Sequence, residues 1–316
     1  MYRFLLYEPI HEAGSQVLRA VGEVRMASST DEDTIIREIG DIDGVVVRAK
    51  GRVTRRVLEH APRLKVVGRH GTGVDNIDLG AATEHGVQVV KTPEATTEAV
   101  AEHTVGLMLA LSKKILQGDA GIRSGHFDVR YSLMGREMCG RILGVAGFGR
   151  IGRRLAQICH FGLGMPILYY DVRPAPELER QLGARRLELH ELLASAEYIS
   201  VHVPLLPQTR GLIGEAEFAL MRPDAMFFNA SRGPVVDEGA LYRALAAGII
   251  AGAGIDVYEE EPTPADNPLF GLENVVLTPH MSANTEEAMR KMSLVTEDLV
   301  SVLQGRKPRY PVNQLD

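Results

Sequence analysis

LGVAGFGRIGRRLA, residues 143–156, is the stretch on which the reading of the fold turns. It continues an apolar run from Ile142 to Ala146, sets Gly147, Gly149 and Gly152 in the spacing GxGxxG, and opens a helical pattern from Arg150 to His160. Strand, glycine turn and helix in that order leave backbone N–H groups and a helix N-terminus to hold a pyrophosphate. Gly149 admits close approach, and Gly152 lets the helix meet the strand. The spacing alone is weak, because three such glycines also occur in ordinary loops. The next strand, PILYYD, strengthens it by ending in Asp171, 24 residues after Gly147 and close to the ~20 expected of an acidic residue on the adenosine ribose. A carboxylate there repels the extra phosphate of NADP, so the pattern points to NAD, with Arg173 leaving room for relaxed choice. The plainer reading of Asp171 is a turn residue at a strand end.

The motif comes late, with some 140 residues ahead of it in a chain of 316, and that length by itself suggests two domains. The preceding segment alternates β-rich runs (FLLY, EVRMA, VVVRA, KVVGRH, VQVV) with amphipathic stretches, which predicts a parallel α/β unit complete before the glycines appear. Residues 98–116 lack proline and are apolar on nearly every side, so they read as one long buried helix connecting the domains. From Gly140 a second series, RILGVAGF, PILYYD, YISVHV, AMFFNAS, IAGAGIDV and NVVLTPH, predicts six parallel strands. A final helix opens at Asn284 with Glu287 in capping-box spacing and stops at Gly305.

Composition bounds the partners. A net charge of −6, no Trp and 5% aromatic residues argue against a nucleic-acid surface and leave a small molecule as the expected partner. Met1 to Ile10 carries only a short apolar run, broken by Glu8 and Pro9, so neither a signal peptide nor a membrane span is expected. Cys139 and Cys159 are too few for a disulfide framework and read as inert filler of a cytoplasmic protein. No metal site is expected.

Ligands of open α/β sheets bind outside the carboxyl ends of the strands. AMFFNAS runs into Ser231 and Arg232, IAGAGIDV into Asp256 and the acidic turn YEEEP, and NVVLTP into His280, all at the rim that Gly147 to Gly152 occupy. Removing hydride from a secondary alcohol needs a base of near-neutral pKa, a carboxylate to orient it and a cation to fork onto a substrate carboxylate. His280, Glu261 and Arg232 supply one of each. Taken singly, each also has an ordinary reading as a loop or turn residue; their shared rim is what favours chemistry.

The stretches GRHGTGVDNID, ATTEAVAEHTVGLMLAL, LGVAGFGRIG, SVHVPLLPQTRGLI, NASRGPVVDEGAL, GAGIDVYEEEP and LTPH resemble the D-isomer-specific 2-hydroxyacid dehydrogenases, over residues 68–280. GTGVDN is most similar to short-form phosphoglycerate dehydrogenases without a regulatory domain. The resemblance implies an α/β architecture of two doubly wound parallel-sheet domains. A Rossmann NAD-binding domain (99–283) would be inserted into a flavodoxin-like substrate domain (1–98 plus 284–316). It implies Arg232, Glu261 and His280 as catalytic residues, with Glu259 and Glu260 as bystanders. It implies NAD contacts at Arg150, Ile151, Asp171, His202, Pro204, Thr209, Ala230, Asp256 and His280, besides the glycines. Arg48, Gly71, Thr72 and Gly73 would bind substrate with Arg232, the backbone N–H groups of Gly71 and Gly73 facing its carboxylate.

The implied reaction moves hydride between NAD and C2 of a small D-2-hydroxy or 2-keto acid, of which 3-phosphoglycerate and hydroxypyruvate-like compounds are candidates. Arg48, Lys50, Arg52 and Arg69 are available for a phosphate. A homodimer is implied too, with the helix from Glu98 to Leu116 near the interface. An NAD-sensing, corepressor-like binding protein of the same fold is the alternative, and glutamine-bearing formate dehydrogenases are disfavoured by Glu261.

Overall fold

The computed structural model describes residues 1–315. The chain divides into two compact units, one of Met1–Thr96 with the C-terminal segment from Asn284, the other of Thr97–Ala283. In the first unit β1 (Tyr2–Leu6), β2 (Gly22–Met26), β3 (Gly44–Val47), β4 (Val66–Arg69) and β5 (Gln88–Lys91) alternate with α1 (Glu12–Arg19), α2 (Glu32–Glu38), α3 (Arg55–Glu59) and α4 (Leu79–Glu84). The strands are all parallel, in the order β2-β1-β3-β4-β5. That is the flavodoxin-like order. Asp31, Thr54 and Asp78 cap α2, α3 and α4 through their side chains, so helix starts and strand ends alternate as their sequence signals require.

The second unit opens with α5 (Thr97–Ser112) and α6 (Ile115–Arg123), followed by β6 (Leu143–Ala146), α7 (Arg150–Leu163), β7 (Ile167–Tyr170), α8 (Pro176–Leu182), β8 (Arg185–Arg186), α9 (Leu189–Ser195) and β9 (Tyr198–Val201). It continues through α10 (Glu215–Leu220), β10 (Met226–Asn229), α11 (Glu238–Ala246), β11 (Gly252–Ile255) and β12 (Val275–Leu277). The sheet order is β12-β11-β10-β9-β6-β7-β8, parallel throughout. The chain reverses direction across the sheet between β6 and β9, which is the switch point where a Rossmann sheet opens its crevice. The sheet has seven strands, not six; β8 is two exposed arginines on the edge beside β7, too short to leave an apolar signature. The long helix expected over 98–116 stops at Ser112, and Lys114 takes a left-handed backbone (φ 55°) before α6 begins. α5 itself is buried along Ala99, Val100, Ala101, Thr104, Leu107, Met108 and Leu111, as its all-round apolar character requires.

The chain then returns to the first unit as α12 (Glu286–Ser293) and α13 (Val295–Leu303). One helix was expected. It breaks at Leu294, and its cap is Thr285, whose hydroxyl accepts from Ala288 N–H, rather than Asn284. The fully buried Leu299 of α13 lies where a Cβ on Gly68 would approach its Cδ1 to 2.1 Å, so the bare backbone of β4 is what admits the helix. Asn313 then fastens the C-terminal segment, accepting from Val89 N–H at 2.7 Å and donating to the Val87 carbonyl at 2.9 Å. Each unit has apolar clusters on both faces of its sheet: Leu5, Val45 and Val67 on one face of the first, Phe4, Val46 and Leu299 on the other. Cys159 belongs to such a cluster, and burial pushes its thiol up to about 12, an inert group; Cys139 is exposed rather than filler. Among the described residues no helix is long and apolar enough to cross a membrane.

Candidate active site

The glycine turn connects β6 to α7. Gly147 has φ 99°, a conformation L side chains rarely adopt, and a Cβ there would lie 2.6 Å from the His202 backbone. A Cβ on Gly152 would meet the Gly147 carbonyl at 2.2 Å, which is the close helix–strand contact its place in the motif requires. At Gly149, by contrast, a Cβ would meet nothing within 4 Å among the described residues, nor does any of their side chains cap the N-terminus of α7. The result is an open cradle facing uncapped N–H groups, suited to a pyrophosphate. Arg150 and Ile151 form its first helical turn.

Asp171 follows β7, where its carboxylate accepts from Phe148 N–H at 2.7 Å and Arg173 N–H at 2.9 Å. The acidic group is thereby fixed beside the glycine turn. His202 follows β9. Its Nε2 lies 2.8 Å from Ser200 Oγ, whereas the buried Nδ1 has no partner among the described residues, and burial pushes the imidazole down to about 4. A neutral ring with an orphaned buried nitrogen is a position that a bound molecule can satisfy. Pro204 and Thr209 close the adjoining loop, the Thr209 hydroxyl donating to the Pro204 carbonyl at 2.6 Å. Ala230 follows β10 and is buried. The open cradle, the fixed acid and the orphaned nitrogen together fit a dinucleotide.

The turn after β10 carries Arg232. Asn229 is 2% exposed and holds this turn by accepting from Ser231 N–H and donating to the Arg232 carbonyl, both at 3.0 Å. A Cβ on Gly233 would stand 1.7 Å from the Tyr258 carbonyl oxygen, so only glycine lets the arginine turn pack on the segment that leads to Glu261. Glu261 accepts from Tyr258 N–H at 3.0 Å through Oε1 and bonds His280 Nδ1 at 2.6 Å through Oε2. Burial opposes its charge, but the His280 hydrogen bond and charge, the Tyr258 N–H and the Arg232 charge hold its carboxyl below the usual range. Arg232, Glu261 and His280 therefore form one cluster, with Glu259 N–H turned instead to Glu238.

Asp256 stands apart from the other expected cofactor contacts. It is fully buried, and its carboxylate accepts from Thr278 Oγ1 (2.6 Å), Met281 N–H (2.9 Å) and Ser282 N–H (3.0 Å). It underlies the turn that follows β12 rather than lining the crevice. Tyr258, Thr278 and His103, which contacts Thr278 at 3.0 Å, were not singled out in the sequence; a strand-end tyrosine, a threonine before proline and a histidine inside an apolar helix carry no local signature.

In the first unit, Arg48 follows β3, its Nη1 donating to the Pro9 carbonyl at 2.6 Å and its Nη2 3.7 Å from Met289 Sδ. Gly71 has φ 131°, but its N–H is directed to Thr92 Oγ1 at 3.2 Å, so the expectation that it faces a ligand is corrected: the turn needs this donor to hold it against the residue after β5. Thr72 lies 3.1 Å from Thr96 through their hydroxyls, and Gly73 follows on the same loop. His70 is buried, 3.0 Å from Ser293 Oγ, and burial with the charges of Arg48 and Arg69 pushes it down to about 3. Lys50 and Arg52 are exposed.

The chain is 43% identical to a D-3-phosphoglycerate dehydrogenase of Methanocaldococcus jannaschii over 99% of its own length and 60% of that protein's. It spans a similar share, 59%, of the Archaeoglobus fulgidus protein of that name, at 41% identity. A glyoxylate reductase of Thermococcus litoralis is 38% identical and covered to 95%, with 96% of this chain aligned. Among solved structures, the apo form of Rhodotorula graminis D-mandelate dehydrogenase superposes with a TM-score of 0.90 at 30% identity, over 100% of this chain and 98% of that one. The comparisons lend no support to a corepressor-like protein. Residues 105–282 match the D-isomer specific 2-hydroxyacid dehydrogenase NAD binding domain, and the chain belongs to that family.

Proposed function

We propose that the protein is an NAD-dependent dehydrogenase of a small D-2-hydroxy acid, the second unit holding the cofactor and the first contributing to substrate binding. The observation that carries this is the 2.6 Å contact between Glu261 and His280 Nδ1, in the cluster that includes Arg232. With Nδ1–H donated to the carboxylate, the neutral imidazole keeps its lone pair on Nε2, which takes the hydroxyl proton in oxidation and returns it in reduction. Glu261 favours the imidazolium that forms. Arg232 holds the substrate carboxylate by parallel hydrogen bonds and polarises the neighbouring oxygen. Gly147, Gly149, Arg150, Ile151 and Gly152 would hold the pyrophosphate of NAD, Asp171 the ribose, and His202, Pro204, Thr209 and Ala230 the remainder. Bound NAD supplies the hydride acceptor. The tied Asp171 carboxylate supports NADH over NADPH.

For substrate, the identity to proteins named D-3-phosphoglycerate dehydrogenase, with Arg48, Lys50 and Arg52 on one loop, favours a phosphorylated three-carbon acid over glyoxylate. Thr72 and Gly73, on the loop that Gly71 opens, belong to the same substrate proposal. The test is cofactor absorbance on mixing the purified chain and NADH with a panel of 2-keto acids, phosphohydroxypyruvate, hydroxypyruvate and glyoxylate included. Turnover of none would refute the dehydrogenase reading; preference for glyoxylate would refute only the phosphate assignment.

A homodimer in the cytoplasm completes the reading. Ile115, Leu116, Ile122, Phe127, Tyr131 and Met134 leave a run of large exposed apolar side chains after α5, which supports a second copy of this chain as its cover. Two free thiols accord with a reducing compartment. Sedimentation as a monomer at micromolar concentration would remove the dimer.

A further inference from the structure

His280 has a left-handed backbone, φ 49°, which a non-glycine residue keeps only where its surroundings impose it. Here they do. Its N–H donates to the Asp256 carbonyl at 2.7 Å, and the next two N–H groups, of Met281 and Ser282, donate to the Asp256 carboxylate. Asp256 in turn is held by the Thr278 hydroxyl at 2.6 Å. A hydroxyl has one proton, and Thr278 spends it on Asp256. Its 3.0 Å contact with His103 Nε2 must then run from the ring N–H to the hydroxyl oxygen, which fixes the His103 tautomer. His103 Nε2 also lies 3.6 Å from Asp256 Oδ1, and among the described residues no other basic side chain pairs with that fully buried carboxylate.

We propose that His103 is a positioning residue for the acid/base pair: the directed chain His103 to Thr278 to Asp256 holds the turn that presents His280, a role that rests on the dehydrogenase reading. The anchor is firm, because His103 sits within α5, a buried helix that packs on β10, β11, β12 and α7. The same chain reaches Glu261. Tyr258 donates its hydroxyl to the Thr278 carbonyl at 3.1 Å and its N–H to Glu261 at 3.0 Å, so both members of the pair are aimed from one set of bonds. Asp256 acts accordingly through the turn of His280.

Two variants test this in the full chain. His103→Phe removes the donor while keeping a ring of similar bulk; His103→Gln keeps an N–H donor. Steady-state kinetics with the best keto acid and NADH, and amide deuterium exchange at residues 280–282 without ligands, are the readouts. The expected result for His103→Phe is a fall in kcat on the order of tenfold with both KM values within twofold, faster exchange confined to 280–282, and recovery of both in His103→Gln. An unchanged kcat, or a loss accompanied by faster exchange throughout the unit and not restored by glutamine, would overturn the positioning role. If the native chain turns over no keto acid yet the local exchange effect appears and is restored, the dehydrogenase reading fails while the hydrogen-bond chain stands.

Discussion

At His280 the chemistry depends on which ring nitrogen is bound. Because Nδ1 faces Glu261 at 2.6 Å, a glutamine there leaves the volume unchanged but removes the charge and, by offering an NH2 group, permits the opposite tautomer. Glu261→Gln should therefore lower kcat by at least about tenfold while leaving NADH binding, followed by its fluorescence, near the native value. Since the Glu261 carboxyl titrates below the usual range, the pair stays charged on that side as pH falls to the ordinary carboxylate value; the acid limb of kcat should not carry a glutamate signature near 4.5. Arg232 is argued on geometry of another kind. Lysine keeps the charge and loses the fork, so Arg232→Lys should reduce kcat/KM by roughly ten- to a hundredfold, corresponding to one charged hydrogen bond of about 1.5–3 kcal/mol. A neutral substitution would show that the arginine does not grip a carboxylate by two bonds.

Elements reach the site through glycines, and the glycines differ in what they do. The Cβ of Gly233→Ala would fall 1.7 Å from the Tyr258 carbonyl oxygen, a backbone atom that cannot swing aside. The arginine turn must move away from the Glu261 segment, and overpacking of this kind costs about 1–3 kcal/mol. A lower melting temperature together with loss of most activity is expected. Gly149→Ala places its Cβ in open space, so melting should be unchanged while the KM for NADH rises; equal melting of the two variants would contradict the packing argument. The strands that frame these turns were legible because parallel strands buried on both faces read as continuous apolar runs, as GVVV of β3 and LGVA of β6 do. The helix breaks at Lys114 and Leu294 were not, because neither proline nor glycine marks them. Gly147, Gly149, Gly152 and Asp171 announce themselves by spacing, and Arg232 and His280 by where strands end, whereas the choice of Glu261 within its acidic turn rests on the family resemblance. Thr278 and Asp256 act through hydrogen bonds between segments over twenty residues apart, which no local pattern records.

For the whole chain, each unit carries a buried or partly buried histidine kept neutral by its surroundings, and this sets how stability responds to acid. His70 in the first unit is pushed down to about 3 and His202 in the second to about 4, each from an ordinary value of 6.5. Below pH 6.5 the unfolded chain binds a proton at each position that the folded chain refuses. The folded state is therefore favoured above that pH and loses stability as pH falls, until the folded groups protonate near 4 and 3. Each histidine contributes a slope approaching about 1.4 kcal/mol per pH unit. Carboxylates held low, such as Asp31 at about 2, add their own losses only below the ordinary carboxylate values, so the window between pH 6.5 and 5 isolates the histidines. Unfolding followed by exchange in each unit, between pH 7 and 5, should show stability falling in both. His202→Asn should flatten the slope of the second unit alone and His70→Gln that of the first. A native chain whose two units hold their pH 7 stability at pH 5 would mean that both imidazoles accept protons without unfolding, against the burial that the structure gives them.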